Sequence, residues 1–279
     1  MEPEKVDLSG EKQTLLITLY SKALESRSPD SLLKDRFADQ AVRKLDYDFS
    51  RLDLGPDGAV SLAMRAKAFD DWTRAFIGRH PDAVVLHLGC GLDSRVFRID
   101  PPAAVSWFDV DFPEVIELRR RLYPARGGGY ELIGASVTDP GWLQQIPGAR
   151  PAMIVAEGLM PYLPAEDAPK LVARLVAHFP SGELTFDGYS RLGLKMLRLT
   201  PQLRATGAKV HWAIDDPKSL EQAIPGLKLV DEKIQYDSAE IARMSWPARL
   251  TVMLWRFVPA LRRIGRLLKY RFGDEPLGF

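Results

Sequence analysis

The spacing of hydrophobic positions changes along the chain, and each change predicts a different element. Between residues 11 and 45 the period is helical. Leu15, Leu16, Leu19, Tyr20 and Ala23 share one face, Ser28-Pro29-Asp30 breaks the run, and Phe37, Ala38, Ala41, Val42 and Leu45 form a second face. At 62, 65, 69, 72 and 76 the residues are Leu, Arg, Phe, Trp and Phe, a helical stripe with an arginine on its core-facing side. From residue 84 onward, short apolar runs alternate with amphipathic helices. Strands are predicted at 84–88, at a second run ending in Asp109 and Asp111, and at 132–135, 153–156, 182–187 and 227–234. A helix and an edge strand at about 267–272 close the chain. Such alternation predicts an α/β fold, a doubly wound Rossmann-like sheet of about seven strands, mostly parallel with the last antiparallel, preceded by extra N-terminal helices.

The chemistry concentrates where the first of these strands ends. Val84, Val85, Leu86 and Leu88 run into Gly89-Cys90-Gly91, and Asp111 follows Gly91 after twenty residues. A strand that stops at a glycine turn lets backbone approach a ligand, and an acid at the end of the next strand can take both hydroxyls of a ribose. Asp109 is the alternative for that role. The same spacing serves NAD(P) or S-adenosylmethionine, so an oxidoreductase is an alternative. Ser94 stands where a dinucleotide fingerprint has its third glycine, and Asp93 in the turn suits a sulfonium or ammonium group better than a pyrophosphate. Asp111-Phe112-Pro113-Glu114 also reads as a capping box for the next helix.

Other residues acquire candidate roles from their setting. Arg65 on a core-facing stripe requires an anion, either an internal acid such as Asp70 or Asp93 or the carboxylate of a ligand. Glu157 ends a central strand, the edge at which a doubly wound sheet binds ligands. Tyr162 follows in a loop and either points at a substrate or packs. His211 is the histidine placed to act as a base in the 190–214 stretch, with a packing or surface role as its alternative. Arg119, Arg120 and Arg121 read as a solvated face.

Three segments carry a family resemblance. LHLGCGLDSRVFRI, SWFDVDFPEVIELRR and IVAEGLMPYL resemble, in that order, the signature blocks of the leucine carboxyl methyltransferase superfamily, and in particular its bacterial branch of tetracenomycin-type polyketide O-methyltransferases. The similarity runs from about residue 14 to about 234. It implies a class I methyltransferase sheet and S-adenosylmethionine as methyl donor. By family position the implied cofactor residues are Arg65 on the methionine carboxylate, Gly89 and Gly91 at the turn, Asp111 on the ribose, Ser136 and Val137 at the adenine, and Glu157. It further implies a lid formed by residues 1–58 over a core of 59–279 within one domain, with an insertion near 190–214 as a substrate wall.

Composition narrows the class. Thirty-eight basic and 37 acidic residues leave a formal net charge of +1, so no global field attracts nucleic acid. Cys90 is the single cysteine, which excludes an internal disulfide and a cysteine-based metal cluster and suggests a reducing, cytoplasmic setting. The charged start shows no signal peptide, and no run approaches the roughly 18 apolar residues of a membrane span. Residues 249–271 hold seven basic and no acidic residues. Arg249, Arg256 and Arg263 recur every seven residues beside Leu250, Met253, Leu254 and Phe257, which describes a membrane-surface helix, but Pro259 and Gly265 interrupt it, so the arginines are expected to be solvated, with membrane contact as the alternative. The expected activity is metal-independent O-methylation of a carboxylate or acidic hydroxyl on a small molecule, which the family resemblance suggests is polyketide-like. A protein C-terminal carboxylate is the alternative acceptor.

Overall fold

A computed structural model describes residues 4–5, 10–234 and 237–273. Its sheet contains β1 (Val84–Leu88), β2 (Ser106–Asp111), β3 (Tyr130–Gly134), β4 (Ala152–Ala156), β5 (Ser181–Tyr189), β6 (Lys228–Lys233) and β7 (Gly265–Gly273). The spatial order is β3-β2-β1-β4-β5-β7-β6. The first five in that order are parallel, and β7 lies antiparallel between β5 and β6. Every residue of β1 and β4 is buried, which is why β4 reads as an unbroken apolar run and β1 as one interrupted only by His87, and neither as an alternation. The chain builds outward from β1 in one direction, then returns to its other side with β4. That reversal opens a crevice at the C-terminal ends of β1 and β4.

Helices fill both faces. α1 (Thr14–Ser26), α2 (Arg36–Lys44) and α3 (Pro56–Arg79) precede the sheet; α4 (Arg95–Ile99), α5 (Pro113–Leu122) and α6 (Asp167–His178) cross between its strands. α7 (Arg191–Leu199), α8 (Pro201–Thr206), α9 (Lys218–Ala223), α10 (Trp246–Trp255) and α11 (Pro259–Arg262) follow β5 and β6. Leu15, Leu16 and Leu19 of α1 pack with Ala38, Ala41 and Val42 of α2 and with Leu118 and Leu122 of α5, so the N-terminal helices are fastened to the sheet layer by apolar contact. α2 starts at Asp35, whose carboxylate accepts the Ala38 N–H at 2.9 Å, a side-chain N-cap. No helix among the described residues is long and apolar enough to cross a membrane.

Three local expectations fail for one shared reason: an approach by a distant segment outweighs the local pattern. The last strand is internal, not an edge. Leu267, Leu268, Tyr270 and Phe272 are all buried because β5 and β6 flank it, and the edge is β6, whose side chains are mostly exposed. Arg119 is not part of a solvated face. It is 1% exposed, and its guanidinium is bonded to Asp109, to Tyr130 and to the carbonyls of Gly91 and Asp93. Asp111 does not cap α5. Its Oδ1 accepts the Phe112 N–H and its Oδ2 the Gly91 N–H, each at 2.7 Å, and α5 begins without a side-chain cap.

Candidate functional site

At the strand reversal lies a cavity of about 360 Å³ whose lining joins the ends of β1, β2, β4 and β5 to α1, α3 and α8. Gly89 and Gly91 form its floor. Both have left-handed backbone, at φ 60° and 50°, and a Cβ on Gly89 would stand 3.0 Å from Leu159 Cδ1. The turn therefore needs glycine for conformation and for space. Arg119 ties this turn from below through the Gly91 and Asp93 carbonyls at 3.0 and 2.7 Å.

Asp109 and Asp111 end the same strand but have different surroundings. Asp109 is fully buried, and its oxygens accept from Trp107 Nε1, His87 Nδ1, the Tyr130 hydroxyl and Arg119. Arg95 Nη1 lies 3.0 Å from His87 Nε2, and a guanidinium only donates, so His87 Nε2 accepts and Nδ1 carries the proton that Asp109 receives. Burial depresses the His87 pKa and keeps the ring neutral. Burial alone would raise the Asp109 pKa, but Arg119, His87 and Trp107 hold it at about 2. Those four donors fill the acceptor capacity of Asp109, and it does not line the cavity. Asp111 lines the cavity, and its two backbone donors leave about two acceptor positions of the roughly four that a carboxylate has. Burial raises its pKa.

Opposite charges converge above the turn. Arg65 donates Nε to Glu157 at 3.2 Å and Nη1 to Asp187 at 3.0 Å; neither Asp70 nor Asp93 is its partner. Asp70 is taken by Arg95 and Arg98, at 2.7 and 2.9 Å. Lys22 of α1 lies 2.7 Å from Asp93 and 3.6 Å from Glu157. Burial opposes ionisation of Glu157, yet Lys22, Arg95 and Arg65 bring its pKa down to about 2. Asp187 fixes the next turn by accepting the Gly158 N–H at 2.6 Å. Lys22, Arg65, Asp93, Glu157 and Asp187 all line the cavity, so it presents buried cations beside buried anions. Arg98 braces this from behind through Asp35 and Asp93, each at 2.6 Å.

This network makes stability acid-sensitive. Asp109 and Glu157 titrate near 2, and Asp70 and Asp93 are also held below the ordinary range, so below the unfolded carboxylate pKa the unfolded chain binds more protons than the native one. Neutral His87 acts in the same direction once pH falls below the free imidazole value. Melting followed by circular dichroism should give a plateau above about pH 6.5, a slight decline below it and a steep one below about pH 4.5. A melting temperature still unchanged at about pH 3 would contradict the network.

The sequence candidates separate into two groups. Arg65, Gly89, Gly91, Asp111, Glu157 and Tyr162 all line the cavity. Ser136, Val137 and His211 do not. Ser136 and Val137 follow β3 in a turn tied to Asp111 through the Ala135 N–H at 2.8 Å, but the Ser136 hydroxyl bonds to Thr138 and Val137 packs in the core with Trp142. His211 is exposed, and its backbone N–H donates to the Pro161 carbonyl at 2.7 Å. Tyr162 sits on the turn Met160–Tyr162, where burial raises its phenol pKa. Burial likewise pushes the Cys90 thiol well up, consistent with a small turn residue and not a nucleophile. No group of three or more His, Cys, Asp or Glu is placed to hold a metal ion among the described residues.

Residues 16–176 match the leucine carboxyl methyltransferase family. Over 96% of the chain and 99% of the relative, the sequence is 44% identical to the tetracenomycin polyketide synthesis O-methyltransferase TcmP of Streptomyces glaucescens. The chain belongs to the leucine carboxyl methyltransferase family. A second relative, the S-adenosyl-L-methionine-dependent methyltransferase dpfgK of Gibberella zeae, is 32% identical over 98% of both chains. Among solved structures, magnesium protoporphyrin IX methyltransferase from Synechocystis with bound SAM shares the fold at a TM-score of 0.51 and 11% identity, covering 96% of this chain and 100% of that one. The sheet order and the antiparallel β7 are those of this class I methyltransferase fold.

Several cavity residues escaped sequence reasoning within this family frame. Lys22 lies in one of the extra N-terminal helices, and its only signal is a lysine between Ser21 and Ala23 on the buried side of α1. Asp187 ends a strand just as Glu157 does, and the rule that singled out Glu157 applies to it equally. Tyr189, Leu197 and Leu203 come from the 190–214 stretch and its border; α7 and α8 bring them to the cavity.

Proposed function

We propose that this protein is an S-adenosylmethionine-dependent O-methyltransferase that acts on a carboxylate or acidic hydroxyl of a small, largely apolar molecule, and that it works without a metal. The observation that carries this reading is the pairing of signs in one cavity. An amino-acid group has a carboxylate and an ammonium, and it fits a wall where Arg65 and Lys22 stand beside Glu157, Asp187 and Asp93. Asp111, with free acceptor positions twenty residues from Gly91, fits a ribose diol. A pyrophosphate fits poorly. Asp93 lines the cavity at the turn, and Ser94 is buried with its hydroxyl on Asp35 at 2.5 Å, so the N-terminus of α4 is not open to it.

S-adenosylmethionine supplies an electrophilic methyl on a good leaving group, so the protein's own part is to bind, align and exclude water. The described residues of 1–58 act as the lid over the described core of 59–279 in a single functional domain, since Leu15, Ile17, Thr18 and Leu54 line the cavity from that side. The acceptor end is bounded by Leu62, Tyr162, Tyr189, Leu197 and Leu203, an apolar and aromatic wall that suits a flat polyketide-like body. Its neighbouring cations, Lys12, Lys22 and Arg65, are each paired with carboxylates, so selection there works through shape and apolar contact. An ionised carboxylate acceptor needs no base. Tyr162, its phenol pKa raised by burial, stays protonated and orients.

Calorimetry with S-adenosylhomocysteine and with NADH tests the cofactor; binding of NADH alone would overturn the reading. An acceptor panel with labelled methyl donor, run with and without EDTA, tests the chemistry. We expect equal rates in both conditions, methylation of small acids over peptide C-termini, and losses of only a few-fold in Tyr162→Phe and His211→Ala. A loss of about a hundredfold in either variant, the scale of general-base catalysis, would assign a base and favour a hydroxyl acceptor.

A further inference from the structure

α10 has its large apolar face turned the wrong way for a surface helix. Trp246, Leu250, Met253, Leu254 and Phe257 recur at helical spacing, and all are exposed, from 43% for Leu250 to 71% for Trp246 and 79% for Phe257. Val252 is buried and Ala248 and Trp255 are half-buried, so the opposite and smaller face packs on the protein. An apolar stripe normally faces the core, and a contiguous exposed one marks a contact surface.

The charges around this ridge indicate what covers it. Arg249, Arg256, Arg262 and Arg263 surround it, all exposed, and no acid occurs in 249–271. Among the described residues the counter-charge is Asp237, which holds Arg256 at 2.8 Å and Arg262 at 3.0 Å, and Arg249 and Arg263 have no ion pair there. A second copy would set arginine against arginine across a two-fold contact, with Asp237 as the small offset. A single convex helix edged with arginines and carrying Trp and Phe near its two ends has the form of an in-plane interfacial helix.

We propose that α10 and the turn after it are a membrane-surface contact that seats on anionic lipid, with the ridge in the acyl boundary and the arginines at the headgroups. The expectation of solvated arginines rested on the interruptions at Pro259 and Gly265; α10 ends at Trp255, before both, and its apolar face points outward. The helix is tethered to the methyltransferase body at its start, where Ser245 donates through its N–H and hydroxyl to Asp57, at 2.7 and 2.6 Å, in the first turn of α3. Gly58 and Leu62 of that helix line the cavity, so lipid binding sets the cavity's rim near the bilayer surface.

The test is sedimentation of the full chain with vesicles of phosphatidylcholine, with and without phosphatidylglycerol. We expect binding to the anionic vesicles, weakened by salt. Arg249→Gln and Arg263→Gln should each lower partitioning about fivefold, and Leu254→Asp with Phe257→Asp should abolish it. These positions are exposed, so S-adenosylhomocysteine affinity and the far-ultraviolet spectrum should stay unchanged and serve as the folding control. No sedimentation with anionic vesicles overturns the proposal, as does equal binding to both vesicle types. A dimer in solution that Phe257→Asp converts to monomer, without vesicle binding, overturns it in favour of a second copy; an acidic protein partner would likewise bind where vesicles do not. None of these readouts depends on methyl transfer.

Discussion

Arg65→Ala should lower the melting temperature by roughly 10 °C and weaken S-adenosylhomocysteine binding about a hundredfold. The first effect follows from the acids left behind. Asp187 loses its buried cation while Glu157 keeps Lys22 and Arg95, and breaking a buried ion pair costs about 3–5 kcal/mol when the remaining charge, here Asp187, is uncompensated. The second effect follows from the donors not yet used. Arg65 spends Nε and one Nη1 hydrogen on the two acids, which leaves three of its five N–H groups for a ligand carboxylate. A charge-assisted, forked bond of that kind contributes on the order of 1.5–3 kcal/mol. Arg65→Lys keeps the charge without the fork and should fall between wild type and alanine in both measurements. Scanning calorimetry and titration calorimetry on the folded fraction separate the two effects. A lower melting temperature with unchanged affinity would make Arg65 purely structural.

The aspartates at the end of β2 should give opposite phenotypes. Asp111→Asn is expected to weaken S-adenosylhomocysteine binding by about tenfold to a hundredfold while the melting temperature falls only slightly. The amide keeps one acceptor oxygen and must turn its NH₂ toward one of the two backbone N–H groups that now meet a carboxylate oxygen. Asp109→Asn is expected to do the reverse. It removes the charge opposite fully buried Arg119 and presents donors to a site already filled by four of them. The melting temperature should drop by as much as in Arg65→Ala, with affinity in the remaining folded protein within a few-fold of wild type. If Asp109→Asn lost affinity selectively, the assignment of roles on β2 would be reversed.

These contrasts mark how much of the site was legible from the residues. Gly89 and Gly91, Asp111 and Glu157 were readable because position relative to a strand end is a local property. A run of apolar residues that stops at glycine places its flanking residues at the crevice whatever the rest of the chain does. Arg65 was readable for a related reason: a charge on an apolar stripe demands a partner. The identity of that partner was not readable. Asp70 is five residues away and on the same helix, but the anions that meet Arg65 are Glu157 and Asp187, 92 and 122 residues away.

The sequence by itself determined the number of strands and their succession along the chain, the parallel core with its antiparallel addition, the helices ahead of the sheet and the family, because periodicity and motif order are written along the chain. Only the tertiary structure decided which charges were buried. Arg119, Lys22 and Arg98 look like ordinary surface cations until α5, α1 and α4 close on the glycine turn, and desolvation then requires each to meet carboxylates or carbonyls from distant segments. The tertiary structure also decided that β7 slots inside β6 instead of flanking it. It set the direction of α10 as well, since a stripe of Trp, Leu, Met and Phe has the same period whether it faces the core or the solvent, and only packing against the rest of the molecule distinguishes the two.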